Sequence, residues 1–404
     1  MKVNKWTLAL ATAGLVSLPA LVQGEEKASS VMTALSSTTI SGYVDTSAQW
    51  DIGTGNANPA GFIYNNGKQD GFNLDKVKLR IERPLDEAQW AAGYRVDLLF
   101  GPDANTFGST STGASSSDFA IQQAYVALRA PVGNGLDFKL GVFDSIIGYE
   151  SHDSVNNPNW TRSYGTTIEP HTHTGLLVTY QPAEWLGLAA GIANTVGPAI
   201  NQRVGTPESY KTYMAAVSLT APESTGFLKG STLYAGFVNG FNSSAGAPYA
   251  GVGADQTSWY IGGTMATPVT ALKLGASFDG RLVSDETAGG ADVSTQQHAV
   301  ALYASFQATE KLSFHARGEY FWQSRLLITS GLPSKVTALT GTVQYDLWKN
   351  VMSRLELRWD HQAGSATTTP TPGTPDRAYG GNLPGGAPNK QNSVLVAANI
   401  VYKF

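Results

Sequence analysis

Not one cysteine occurs in the 404 residues, which excludes a disulfide framework and any cysteine-based metal site or nucleophile. Charge is scarce, at 14% of residues, and nowhere forms the basic stripe that a nucleic-acid partner demands. The formal net charge is -4. No stretch after the first two dozen residues approaches eighteen uninterrupted apolar positions, so no helical membrane span is predicted. The beginning is different in kind. Lys2 and Lys5 precede a largely apolar run, Trp6 to Leu21, interrupted by Thr7, Thr12, Ser17 and Pro19, and Val22-Gln23-Gly24 offers cleavage positions. That pattern is a secretory signal. The expected organisation is a signal peptide over 1–24, a short linker over 25–38 and one domain over 39–404. Subtracting Lys2 and Lys5 from 27 basic residues leaves 25 against 31 acidic ones, about -6 for the exported chain. An exported chain without a helical span can enter a membrane only as a closed barrel.

What the sequence does contain is alternation. Ile40, Gly42, Val44, Thr46, Ala48 and Trp50 share one parity, and Ser41, Tyr43, Asp45, Ser47, Gln49 and Asp51 share the other. Trp90, Ala92, Tyr94, Val96, Leu98 and Phe100 repeat the pattern, as do Val394, Val396, Ala398, Ile400, Tyr402 and Phe404. A period of two marks strands with two unlike faces. One strand changes phase, from Phe72 and Leu74 to Val77, Leu79 and Ile81, which predicts a bulge near Asp75. About sixteen such segments follow one another, with fourteen to eighteen as the range. The connections alternate between short turns, as at 131–135 and 348–350, and long loops, as at 145–171, 195–208, 240–256, 284–294, 325–334 and 363–391. The predicted fold is all-β, a closed antiparallel transmembrane barrel with its two ends facing different compartments.

A soluble sandwich also has one apolar face, so alternation alone does not decide. Three further features separate the readings. The segments run ten to thirteen residues, whereas soluble strands cluster near ~5–6 and a tilted barrel strand needs about 9–11. The apolar parity carries no Asp, Glu, Lys or Arg in its central stretches, with His298 as its one titratable member. An Arg or Lys facing lipid near the midplane would cost about 2–4 kcal/mol. Finally, the aromatic residues sit at segment ends. Trp50, Trp259, Trp322 and Trp359 adjoin long loops, while Trp90, Trp185 and Trp348 adjoin short turns, and Tyr402 and Phe404 end the chain. These nine residues are expected to form the interfacial aromatic girdle. Pairing the last strand with the first, both with even-numbered residues outward, would close the sheet and remove its edges.

A sixteen-strand barrel encloses a lumen too wide for side chains to fill. Inward charges such as Arg354, Glu356, Arg358 and Asp360 are therefore expected to be solvated, setting a field for solutes or holding the wall by hydrogen bonds. The loop from Asp144 to Thr172 holds the densest polar and aromatic mixture, including Tyr149, Glu150, His152, Asp153, Asn157, Asn159, Trp160, Arg162 and Tyr164. His171 and His173 could share one face of a strand and bind metal, but no further ligand has suitable spacing, so neither metal nor cofactor is expected. Two other classes stay open: an outer-membrane hydrolase, which needs a Ser-His or Asp-His constellation at the rim, and a non-conducting adhesin or structural barrel.

The run Gly141-Val142-Phe143 through Gly148-Tyr149-Glu150, then Asn157, Trp160-Thr161-Arg162-Ser163 and His173-Thr174-Gly175, resembles the OmpL-like family of β-barrel porins. The motif similarity is concentrated between Phe119 and Asn194, and Asn194-Thr195 departs from the Asn-Gly that the family favours. The resemblance implies an outer-membrane diffusion pore for small hydrophilic solutes or ions, with no catalytic residues. The third long loop of such a barrel is similar to the loop that folds inward in general porins. Glu150 and Arg162 are then expected at the constriction, facing Arg80, Arg95 and Arg129 on the wall; alternatively Glu150 and Arg162 form an ion pair that pins the loop. The expected partners are outer-membrane lipid, the barrel assembly machinery through the last strand and, by analogy with large pores, two further copies of the chain.

Overall fold

The computed structural model describes residues 38–53, 58–62, 68, 70–109, 118–203, 210–241, 255–286, 292–329, 331–369, 376–381 and 387–404. The expected signal peptide and all of the linker but Thr38 lie outside this set. Sixteen strands follow in chain order: β1 (Thr39–Asp51), β2 (Gly71–Arg83), β3 (Ala91–Phe100), β4 (Phe119–Ala130), β5 (Leu136–Asp144), β6 (Thr172–Ala183), β7 (Leu186–Ala193) and β8 (Thr212–Thr220). The second half comprises β9 (Thr232–Phe241), β10 (Asp255–Ala266), β11 (Leu272–Glu286), β12 (Asp292–Gln307), β13 (Leu312–Gln323), β14 (Lys335–Trp348), β15 (Val351–Gln362) and β16 (Asn392–Lys403). Each pairs antiparallel with its sequence neighbours, and β16 pairs with β1, so the sheet is a closed barrel. Two short helices, α1 (Ala104–Phe107) and α2 (Tyr164–Ile168), lie in the loops after β3 and β5.

The closing register is Val44 opposite Tyr402, Ala48 opposite Ala398 and Trp50 opposite Val396, which keeps the even-numbered residues of both strands on one face. The phase change in β2 is a bulge: Asp45 opposes Lys76 and Thr46 opposes Leu74, leaving Asp75 unmatched. The extra residue turns Asp75 inward, where it is fully buried. Strand lengths spread wider than the expected ten to thirteen residues, from 8 in β7 to 16 in β12. β11 runs to Glu286 and β12 begins at Asp292, so strand extends into both ends of the loop expected at 284–294. The connection between β8 and β9, 221–231, contains a short 3-10 segment at Glu223–Leu228.

The outward parity is a continuous apolar skin. Leu140, Leu302, Leu339, Leu355 and Leu357 stand exposed near the middle of their strands. So much exposed apolar surface on every side is suited to lipid rather than water. Trp50 and the half-buried Trp259, Trp322 and Trp359 lie at the long-loop ends; the exposed Trp90, Trp185 and Trp348 lie at the short-turn ends with Tyr402 and Phe404. His298 points outward between Trp259 and Trp322, at ring distances of 5.6 and 5.0 Å, so aromatic neighbours flank this titratable group on the outer face.

Candidate functional site: the loop inside the barrel

The loop between β5 and β6, residues 145–171, turns inward and crosses the lumen at mid-height. Its entry is apolar. Ile146 and Ile147 pack with Phe143 against Leu177, Ala189, Ala193, Met214, Ala216, Tyr234, Val238 and Tyr260 on the inner faces of β6 to β10. Those strands present small, uncharged residues inward, which leaves space for the two isoleucines. The Tyr234 hydroxyl donates to the Ile146 carbonyl, and the Tyr149 ring stacks on Tyr303 of β12 at 4.1 Å. Gly148 makes the turn into this contact with φ +123; a side chain there would also strike the Glu169 carboxyl.

The far side of the loop is polar and meets the charged wall. Asp153 accepts from Lys78 Nζ at 2.6 Å, Arg80 at 3.1 Å and the Tyr43 hydroxyl at 3.3 Å. Burial alone would raise its pKa, but Lys78 and Arg80 hold the carboxyl well below the usual range. Arg354 donates to the carbonyls of Ser154 and Asn157 at 3.1 and 2.8 Å, while its Nε and Nη2 hold Asn399. Glu356 accepts from the Trp160 and Thr161 amides at 2.6 and 2.9 Å and from the Thr161 and Thr342 hydroxyls at 2.5 and 2.7 Å. Arg317 and Arg358 both donate to the Arg162 carbonyl, at 3.2 and 2.6 Å. The helix α2 is capped by Ser163, whose hydroxyl accepts from the Thr166 amide. Its first amide, Tyr164, donates to Glu319 at 2.7 Å, and the Tyr164 hydroxyl donates to Asp360 at 2.8 Å. The loop thus touches the wall on β1, β2, β6 to β10 and β12 to β15.

The inward charges are therefore not solvated. Arg358 is 0%, Glu356 and Asp360 are 1%, and Arg354 is 3% exposed. The reason is that the loop supplies them with partners in place of water. Neutralisation is nearly complete at this level. Arg317 pairs with Glu150 and Glu319 at 2.8 Å each, Arg358 with Asp360 at 2.9 Å, and Lys68 with Asp75 and Asp103 at 2.5 and 2.8 Å. Asp97 gathers Lys78, Arg80 and Arg95 at 2.9, 2.9 and 2.7 Å. Buried pairs of this kind add little net stability when complete but cost several kcal/mol, ~3–5, when one partner is removed.

The expected site residues are brought together only in part. Glu150 is buried, and its cation is Arg317 rather than Arg162; it also accepts from the Ser163 amide at 2.9 Å. Arg162 is fully buried in the loop and lends its carbonyl, not its guanidinium, to Arg317 and Arg358. Arg80 bridges Asp97 to the loop through Asp153. Arg95 is held by Asp97, with Glu82 at 3.9 Å. Arg129 pairs with Asp137 at 2.6 Å, near the short-turn end of β4 and β5 and away from the loop. The residues that do most to hold the loop, Glu356, Arg317, Arg354, Glu319 and Lys78, were visible in the sequence as inward charges without assigned partners. One signal does announce the pairs: Arg95-x-Asp97, Arg317-x-Glu319 and Arg358-x-Asp360 place opposite charges two residues apart on one strand face. Trp160 and Lys68, joined by a cation–π contact at 5.1 Å, gave no such signal.

The two loop histidines do not form a metal pair. His171 faces the carbonyls of Thr106 and Thr166 at 2.9 and 3.3 Å, whereas His173 faces the Ser145 hydroxyl and the Thr195 carbonyl at 3.3 and 3.5 Å. Burial lowers the His171 pKa to about 4, so the ring is neutral at pH 7. Among the described residues no cluster of His, Asp and Glu is arranged to hold a metal ion. Above the loop, three segments of the long-loop end are stitched together. Asn58 donates to the Gly380 carbonyl at 2.6 Å, the Gly61 amide to Gly331 at 2.9 Å and the Gly331 amide to Ala378 at 3.1 Å. Phe62 reaches down from this cap to lie 3.9 Å from the Arg358 guanidinium.

A lipid-facing sixteen-strand barrel, with short turns at one end and a loop folded into its lumen, defines the class of porin-type β-barrels. The chain belongs to the family described as "Putative beta-barrel porin-2, OmpL-like", whose model matches residues 37–404. Solved structures share the fold at low identity. The anion-selective porin from Comamonas acidovorans is 14% identical, with a TM-score of 0.58 over 91% of this chain and 99% of that one. The outer membrane channel DcaP of Acinetobacter baumannii is 13% identical, with a TM-score of 0.58 over 91% and 97%. Salmonella typhi OmpF, in complex with daunomycin, is 12% identical, with a TM-score of 0.58 over 91% and 97%. Among curated proteins, none matches the sequence.

Proposed function

We propose that this protein is an outer-membrane porin, a water-filled channel for passive diffusion of small hydrophilic solutes or ions. The observation that carries the reading is the internal loop, bonded by Glu356, Arg317 and Arg354 to the wall of a barrel whose outside is apolar. A wall suited to lipid and a polar loop across the lumen are the parts a size-selective pore requires. In this reading the constriction is bounded by the loop. Glu150 and Arg162 shape it by fixing the loop backbone, while Arg80 and Arg95 act as counter-ions and Arg129 stands below. The nine end-placed aromatics act as the girdle in lipid. By analogy with large pores, the working assembly is a homotrimer, and insertion depends on recognition of β16 by the assembly machinery.

Planar-bilayer recording of the refolded protein tests the reading. Discrete, stepwise conductance is expected. A sample that is demonstrably folded yet passes no current would sink the channel and favour a non-conducting barrel. On the hydrolase reading, His171 and His173 each face a backbone carbonyl, while His152 faces the Asp144 carboxylate at 3.3 Å.

A further inference from the structure

At the level of the loop, the inward cations and carboxylates neutralise one another. Below it, towards the short-turn end, they do not. Lys139 near the start of β5, Lys273 near the start of β11 and Lys403 near the end of β16 all fall on the inward parity of their strands. None of the three is within ion-pair distance of a carboxylate among the described residues. Lys273 is exposed, while Lys139 and Lys403 are half-buried. Lys139 lies 5.1 Å from the Tyr125 ring, a contact that leaves its charge intact.

The acidic groups at the same depth are few. Asp346 of β14 is the neighbour of Lys403. Asp137 is taken by Arg129, and Glu82 lies on Arg95. His315, between the hydroxyls of Ser305 and Ser313, adds no negative charge. The turns at the rim carry both signs, Asp86, Glu87, Glu184, Glu223 and Glu310 against Lys229, Lys311 and Lys349, with Glu223 and Lys229 paired. Three lysines against one aspartate leave this chamber positive, although the whole chain is negative. A cleft of one sign with low-dielectric walls concentrates counter-ions well beyond what bulk charge implies.

We infer that the chamber on the short-turn side of the loop is an anion-concentrating vestibule formed by Lys139, Lys273 and Lys403, so that the pore favours small anions such as carboxylates and phosphates. The inference rests on the channel reading above and adds a solute class to it. The three cations come from strands spread around the barrel, so an anion entering the chamber meets positive charge from several sides.

The test is a reversal potential in a potassium chloride gradient, with inorganic triphosphate added to one side at a time. The unmodified protein should favour chloride over potassium by about tenfold at low salt, the lower end of such focusing. Triphosphate should block from the short-turn side. The combined Lys139→Gln, Lys273→Gln and Lys403→Gln variant should lose both the preference and the block while still conducting. Should the triple variant fail to fold, Lys273→Gln alone, at an exposed position, should give a partial shift in the same direction. A conducting protein that prefers potassium, or an unshifted reversal potential in a folded variant, overturns the inference and leaves the channel intact. A folded protein that passes no current overturns the channel itself, and the vestibule with it.

Discussion

Replacing Glu356 with alanine should release the internal loop. Its carboxylate is the acceptor for two loop amides, Trp160 and Thr161, and for the hydroxyls of Thr161 and Thr342, all within 2.9 Å. The site is almost dry, with Glu356 1% and Trp160 0% exposed, so water does not readily replace the lost acceptor. A buried donor left without a partner costs about 1–3 kcal/mol, and two such amides weaken loop docking by roughly 2–6 kcal/mol. Near the middle of that range, the ratio of released to docked loop rises about a thousandfold. The barrel itself, held by its strand ladders, should survive. Single-channel recording should show a larger, noisier current, and limited proteolysis should now cut between residues 150 and 165. Glu356→Gln, which keeps one acceptor oxygen, should lie between the two. If Glu356→Ala matches the unmodified protein in both current noise and protease resistance, the loop is not held as argued.

Asp153 gives a pH dependence of definite sign. Its carboxyl pKa is depressed by Lys78 and Arg80, so its clamp is fully present above the ordinary carboxyl value of about 3.9 and is lost progressively as pH falls from there through the depressed folded value. Protease protection of the loop should drop between pH 5 and 2, and Asp153→Asn should be weakly protected throughout. Glu169 runs the other way: burial, with Asp279 beside it and Glu150 next, raises its pKa well above the usual range. A neutral Glu169 suits the fold, so loop stability should decline as pH rises above about 4.3, and Glu169→Gln should raise the melting temperature at pH 9 more than at pH 5. On the lipid face, Leu357→Arg near mid-strand should destabilise the barrel by about 2–4 kcal/mol, measured as a urea midpoint in lipid vesicles. Removing Phe404 deletes the two backbone bonds it exchanges with Gly42, both 3.0 Å. The folded, heat-modifiable fraction in outer membranes should fall, while the current of molecules that do insert stays unchanged.

The barrel was legible because a period of two is a local property. Even parity from Val394 to Phe404 and from Ile40 to Trp50 was enough to foresee the β1–β16 seam, and the break between Leu74 and Val77 was enough to place the bulge at Asp75. Alternation tells which face a side chain takes but not what meets it across the lumen. Glu150 and Arg317 are separated by 167 residues, and nothing local to either shows that they bond. For the same reason Arg354, Glu356, Arg358 and Asp360 read as solvated charges, when the loop that covers them begins some two hundred residues earlier. The uncharged inner faces of β6 to β10 held a usable signal: Ala189, Ala193, Ala216 and Gly236 leave a recess that a lumen-lining wall does not need, and Ile146 and Ile147 fill it.

On the porin reading, the loop narrows a continuous aqueous path without closing it. Swelling of liposomes carrying the refolded protein, challenged with neutral sugars of graded size, measures this most directly. Rapid swelling is expected with the smallest sugars and a steep fall as size increases, with the cut-off relaxed in Glu356→Ala. Liposomes with folded protein that swell in none of the sugars, or equally in all of them, would contradict it.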